Sequence, residues 1–159
     1  LGAGYCEWIA SQARKHPRRL YAVVEREPEV WKEVERKGTL LGLDNVAQAG
    51  ADAFRALSKI QRSGAIVREI HLREPDELRF KLGRVLKAAL PVMHPSGKIV
   101  LTTEFRLTSM EKKQAKQAGY SHKFVGLLRR KQTRFEKGIG KKGKIFHYVF
   151  KPRVSRQRR

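Results

Sequence analysis

Short apolar runs alternate along this chain with longer stretches whose apolar residues recur every three or four positions, and that alternation limits the folds open to it. Leu20-Tyr-Ala-Val-Val24, a brief run around Val46, Ile66-Val-Arg-Glu-Ile-His-Leu72 and Lys98-Ile-Val-Leu-Thr-Thr103 read as strands. Between them, Glu7–Lys15, the stretch from Pro28 to Gly38 with Val30, Trp31 and Val34 on one face, Ala53–Ile60 and Met110–Ala118 read as helices. Leu78, Leu82, Val85, Leu86, Ala89 and Leu90 keep the spacing of another helix, which stops at Pro91. Pro95-Ser-Gly97 reads as a turn. Lys123–Leu128 and Ile145–Phe150 read as two last strands, joined through a Gly- and Lys-rich loop over 138–143. Strands alternating with helices predict an α/β architecture, a mostly parallel sheet with helices on both faces and an antiparallel pair at one edge. In such a sheet a ligand sits at the carboxyl ends of the strands.

With 159 residues, 40% of them hydrophobic, the chain has enough material for one core, and residues 1–150 are expected to form a single domain. Lys and Arg number 36 against 15 Asp and Glu, a net charge of +21 that points to a polyanionic partner. The excess is uneven: residues 1–104 carry 18 basic and 13 acidic side chains, residues 105–159 carry 18 basic and only Glu111 and Glu136 as acids. Residues 151–159 are expected to form a basic flexible tail. The single cysteine, Cys6, excludes an intramolecular disulfide framework and multi-cysteine metal sites. No metal is expected. No apolar run is long enough for a membrane span and no secretory signal pattern opens the sequence, so a cytoplasmic protein without a membrane partner is expected.

Three features suit a nucleoside ligand. Gly2-Ala-Gly4 stands just ahead of a helix, where a backbone must approach a ligand closely. Glu25 ends the run Leu20–Val24, where a carboxylate accepts both hydroxyls of a ribose. Asp52-Ala53 follows the strand at Val46, and Asp52 is placed to accept from an exocyclic adenine amine. Glu25 and Asp52 are equally suited to cap a helix or to face solvent.

The order of these parts resembles the class I S-adenosylmethionine-dependent methyltransferases, with their Rossmann-like fold, and more narrowly the tRNA (guanine-N7)-methyltransferases. Gly2-Ala-Gly-Tyr-Cys-Glu7 is similar to the family's glycine-rich cofactor loop, with Cys6 where a third glycine is usual. Glu25 matches the ribose-binding acid, and Asn45 through Asp52-Ala53 resembles the segment flanking the adenine. Pro95-Ser-Gly97 and Thr103-Glu104 resemble the family's Pro-Gly-Gly turn and its Thr-Asp strand end. Thr133-Arg-Phe-Glu-Lys-Gly138 resembles its late Thr-x-Phe/Tyr-Glu-x-Lys/Arg-Gly signature, whose Thr and Glu sit at the cofactor and guanine site. The chain departs from the family after its fourth strand, where Leu72-Arg-Glu-Pro-Asp76 replaces a Trp-containing segment and Glu74-Pro75 stands for Asp-Pro. The first strand of such a fold is unaccounted for and would precede Leu1.

The resemblance implies S-adenosylmethionine as cofactor and methyl transfer to guanine N7 of tRNA. Gly2, Gly4, Glu25, Asp52, Ala53 and Thr133 would hold the cofactor, and Glu74 and Glu136 would be catalytic. Arg129, Arg130, Lys131, Arg134, Lys137, Lys141 and Lys142 surround the late signature and would bind RNA phosphates. Phe135, Tyr120 or Tyr5 offers a stacking face, with core packing as the alternative. His71 reads as a core or rim histidine, with an approach to the site as the alternative; His94 reads as a turn residue, Trp8 and Trp31 as structural, and Asp76 as a helix cap. A protein of the same fold that binds RNA without turnover is the competing reading. The oligomeric state is open.

Overall fold

A computed structural model describes residues 6–25, 27–50, 52–73, 81–103, 105–127 and 146–153. Five helices are seen there: α1 (Glu7–Lys15), α2 (Pro28–Arg36), α3 (Ala53–Arg62), α4 (Leu82–Ala89) and α5 (Ser109–Gln117). They alternate with strands β1 (Tyr21–Glu25), β2 (Val46–Gly50), β3 (Val67–Arg73) and β4 (Met93–Thr103), after which β5 (Tyr120–Leu127) and β6 (Phe146–Pro152) complete the order. Local chemistry sets many of the boundaries. Pro28 opens α2, where its fixed φ fits and its missing N–H costs nothing. Thr108 and Glu111 close a capping box on α5: the Glu111 carboxylate accepts from Thr108 N at 2.6 Å, while Thr108 Oγ1 accepts from Glu111 N at 3.2 Å.

Among the described residues the sheet is in two pieces, β1-β2 and β3-β4-β6-β5. β1 pairs parallel with β2 and β3 parallel with β4. β6 is antiparallel to both β4 and β5, so it alone runs backwards in the larger piece. The antiparallel pair expected at the edge is there with one difference. The later strand, β6, inserts beside β4 and leaves β5 at the edge, because apolar Phe146, Tyr148 and Phe150 need the interior position.

Each piece has its own core. Leu57 of α3, Leu82, Val85, Leu86 and Ala89 of α4 and Ala115 of α5 pack with Leu72, Ile99, Leu101 and Phe150 of the larger sheet. Cys6, Ala10, Val23, Val34 and Leu40 form a smaller cluster around β1. α1 reaches across, and the Trp8 ring lies 4.3 Å from the His71 ring on β3.

Two expectations change. Pro95-Ser-Gly97 does not separate two elements but lies inside β4, whose pairing with β3 slips between Val67↔Met93 and Glu69↔Lys98. The turn chemistry survives within that irregularity: His94 Nδ1 accepts from Ser96 N at 3.1 Å. A side chain at position 97 would meet His94 O at 2.8 Å and Arg68 O at 2.9 Å, so only glycine fits. The helix expected to stop at Pro91 does end at Ala89, and Leu90–Val92 continue as a 3-10 turn. Strand β6 runs through Lys151 and Pro152, where a tail was expected to begin, paired with Ser121 and Tyr120. Residues 154–159 lie outside the described residues.

Candidate functional site

The parallel strands end together. Glu25 is in register with Gly50, and Arg73 with Thr102 beside Thr103. Thr103 faces Phe146, which pairs with Leu127, so the rim continues to the last hairpin. The amino end of α1 belongs to the same rim. Its far end is held at the start of β2, where Asn45 Nδ2 donates to Ala13 O at 3.2 Å and to Arg19 O at 3.0 Å, while Asn45 O accepts from Tyr21 N at 2.9 Å.

Glu25 is 8% exposed at the tip of β1. Its Oε1 accepts from Glu27 N at 3.2 Å, and its main-chain oxygen accepts from Trp31 Nε1 at 3.1 Å. Trp31 thus pins the end of β1 from α2, and its indole nitrogen is also close to Gly50 at the end of β2. Cys6, just before α1, is buried near Glu25. Desolvation, reinforced by the Glu25 charge, pushes its thiol up to about 12. Its backbone is left-handed, with φ 61°, a conformation that glycine adopts without strain. The chain therefore makes a glycine-type turn into α1 with a cysteine.

Asp52 begins α3. Its Oδ1 accepts from Phe54 N at 2.8 Å and from Arg55 N at 3.0 Å, which makes it the helix N-cap, and Arg55 Nε lies 3.7 Å from Oδ2. The cap fixes the carboxylate at the rim end of β2. Ala53 follows in the first turn.

Glu25, Asp52 and Ala53 are thus brought to one rim. Gly2, Gly4, Glu74, Thr133 and Glu136 lie outside the described residues, as do Arg129, Arg130, Lys131, Arg134, Lys137, Lys141 and Lys142. Phe135, Tyr5 and Asp76 also fall outside. Tyr120 is fully buried opposite Pro152 and its hydroxyl is pushed up by desolvation, so it packs the core and offers no stacking face. An aromatic group that the sequence reading did not single out stands on the last hairpin. Phe124 is 48% exposed, its ring 5.4 Å from Tyr148 and 6.2 Å from Phe146, and the Arg106 guanidinium lies 5.6 Å above Phe146. The sequence signal was a phenylalanine on an edge strand beside His122 and Lys123. His71 Nε2 lies 2.6 Å from Glu69 Oε1 with its ring against Trp8, a structural placement.

No protein-family model matches the chain, and no curated protein matches it. Solved structures do. An antibiotic-resistance methyltransferase, Kmr, is 16% identical over 98% of this chain and 85% of its own, with a TM-score of 0.72. The precorrin-6y C5,15-methyltransferase of Geobacter metallireducens GS-15 is 13% identical over 94% of this chain and 75% of its own, with a TM-score of 0.69. An rRNA methylase from Streptococcus thermophilus is 9% identical over 86% of this chain and 75% of its own, with a TM-score of 0.56. The chain has the class I methyltransferase fold. In this methyltransferase fold Glu25, at the end of β1, and Asp52, capping α3 just beyond β2, stand at the carboxyl rim, where open α/β sheets bind their ligands. Among the described residues no helix is long and apolar enough to cross a membrane.

Proposed function

We propose that this chain is an RNA methyltransferase that uses S-adenosylmethionine and methylates N7 of a guanine in tRNA. The observation that carries the cofactor half is the convergence of Glu25, the α1 amino end and the capped Asp52 at one rim. Their chemistry fits a nucleoside: a carboxylate to accept from two ribose hydroxyls and a second to accept from an amine. The tRNA half rests on the late signature and on the +16 carried by residues 105–159, where 18 cations face two acids. Leu127 and Phe146, which flank segment 128–145 in sequence, pair with each other at the rim.

The cofactor would supply a methyl group on a sulfonium. Glu25 would hold the ribose, and the Trp31 indole, by fixing Glu25 O, would keep that acid in place. Guanine N7 carries an exposed lone pair, so the reaction needs alignment more than a base. Methyl transfer would exchange the sulfur–methyl bond for an N7–methyl bond and leave positive charge on the purine, with no proton released. Glu74 and Glu136 would stabilise that charge as it develops.

Calorimetry of S-adenosylmethionine binding tests the reading first, with Glu25→Ala as the control. Micromolar binding lost in the variant, followed by methyl transfer to bulk tRNA that yields N7-methylguanosine on nucleoside analysis, is the expected result. A folded chain that binds tRNA but no cofactor would leave an RNA-binding protein without turnover.

A further inference from the structure

Helices α3, α4 and α5 form one layer, with α4 packed against both others, and eight of their thirteen exposed side chains are cationic while none is acidic. Arg55, Lys59 and Arg62 on α3 and Arg84 and Lys87 on α4 are exposed. α5 adds exposed Lys112, Lys113 and Lys116. The acids on these helices or their caps, Asp52 and Glu111, are both spent on helix caps, and among the described residues only Arg55 of these cations has a carboxylate partner. α2 differs. Its Lys32 and Arg36, and Lys37 just beyond, pair with Glu29 or Glu33 of the same helix at 2.9, 2.7 and 3.1 Å. The near-neutral balance of the first 104 residues therefore conceals a segregation: α2 carries Glu29, Glu33 and Glu35 beside its cations, whereas α3 and α4 carry five cations and no acid.

Between α3 and α4 runs an open groove of about 510 Å³ lined by Phe54, Ser58, Gln61, Arg84 and Lys87 among others, without an acid. The Arg84 guanidinium lies over the Phe54 ring at 5.3 Å from its centroid. Such stacking orients the planar group and leaves its edge N–H donors for an anion.

We propose that the outer face of α3, α4 and α5 is a docking surface for the phosphate backbone of RNA. It is separate in sequence from the basic segment 129–142. This inference rests on RNA as the acceptor in the function proposed above. It extends the contact from one sequence segment to a face of the domain. Folded RNA is read largely through its phosphates and shape, and a broad, fixed array of cations suits that better than a pocket does.

The test compares two triple variants of equal charge change: Arg84→Gln/Lys87→Gln/Lys116→Gln on the face, and Lys32→Gln/Arg36→Gln/Lys37→Gln on α2. Binding of bulk tRNA is measured against salt, with circular dichroism to confirm folding. The face variant is expected to lose roughly 2 to 3 units of the log–log salt slope, about 0.7–0.9 per phosphate contact. At fixed moderate salt its affinity should fall at least tenfold, and the α2 variant should stay near wild type. Equal losses in both variants, or a wild-type slope in the face variant, overturn the proposal. So does a face variant that loses binding to phosphatidylserine vesicles while keeping tRNA, which would make the face a membrane contact. Calorimetry with S-adenosylmethionine keeps the two readings apart. A chain that binds no cofactor but shows the slope loss retains the surface and gives up the enzyme, and a chain that methylates tRNA equally well with the face neutralised does the reverse.

Discussion

Cys6 keeps a left-handed backbone at the entry to α1, at a cost of roughly 1–2 kcal/mol for a residue with a Cβ. Cys6→Gly removes that strain together with a small buried group, whereas Cys6→Ala removes the thiol and keeps the strain. The glycine variant should therefore be at least as stable as the alanine variant, by up to about 1 kcal/mol in urea unfolding after the glycine's greater unfolded-state freedom is allowed for. The thiol itself should be inert. Burial and the Glu25 charge hold it at about 12, so iodoacetamide at pH 8 should leave the native chain unlabelled and label it only when unfolded. At Asp52 the two roles separate by substitution. Asp52→Ala should cost about 1 kcal/mol through loss of the α3 cap, while Asp52→Ser retains a capping oxygen and should stay within about 0.5 kcal/mol of wild type. If Asp52 holds the cofactor, both variants should lose S-adenosylmethionine affinity. A serine variant with full affinity would reduce Asp52 to a cap.

Between elements, side-chain clamps do what periodicity cannot announce. Asn45 joins α1 to β2 by donating to the carbonyls of Ala13 and Arg19, and Asn45→Ala should cost about 1–3 kcal/mol in thermal or urea unfolding because those carbonyls lose their partner. Glu69 on β3 pairs with His71 and Lys98, and those hydrogen bonds hold its carboxyl at about 2. A depressed carboxylate contributes stability that is complete above its unfolded value near 4.5 and is lost as pH falls toward 2. Glu69→Gln should flatten the acid limb of a stability–pH profile in that window, by about 1 kcal/mol at most for a carboxylate that is 40% exposed. Elements with a strong local signal were legible. Glu7–Lys15 agrees at both ends because a charged, amphipathic stretch is bounded by a tight turn and by Pro17. The positions of Glu25 and Asp52 were legible too, since Glu25 ends an apolar run and Asp52 stands just ahead of a helical stretch. The place of β6 between β4 and β5 was not, because strand order is a non-local property. The stretch at Pro95 read as a turn because Pro, Ser and Gly write a turn whether or not the ladder resumes around it. The clamps made by Trp31 and Asn45 were not legible, since their partners are main-chain atoms of other elements.

At the scale of the molecule, charge and core divide the fold differently. The basic layer of α3 to α5 covers the larger sheet, and the charge total of the first 104 residues could not reveal it because the acids that offset it lie on other segments. The cores divide along the sheets, which share no ladder among the described residues and are bridged by the contact of Trp8 with His71. Two ladders that share no hydrogen bond need not open together. In native-state hydrogen exchange the amides of β1 and β2 should exchange by an opening of lower free energy than those of β4 and β6, and uniform protection across all six strands would show one cooperative unit instead. Glu25 ends a strand of the piece with the smaller core. A ligand that closes on it would therefore act as a folding partner for that half, adding about 2.7 kcal/mol at a hundredfold excess over Kd, and its arrival would be seen first as slowed exchange in β1 and β2.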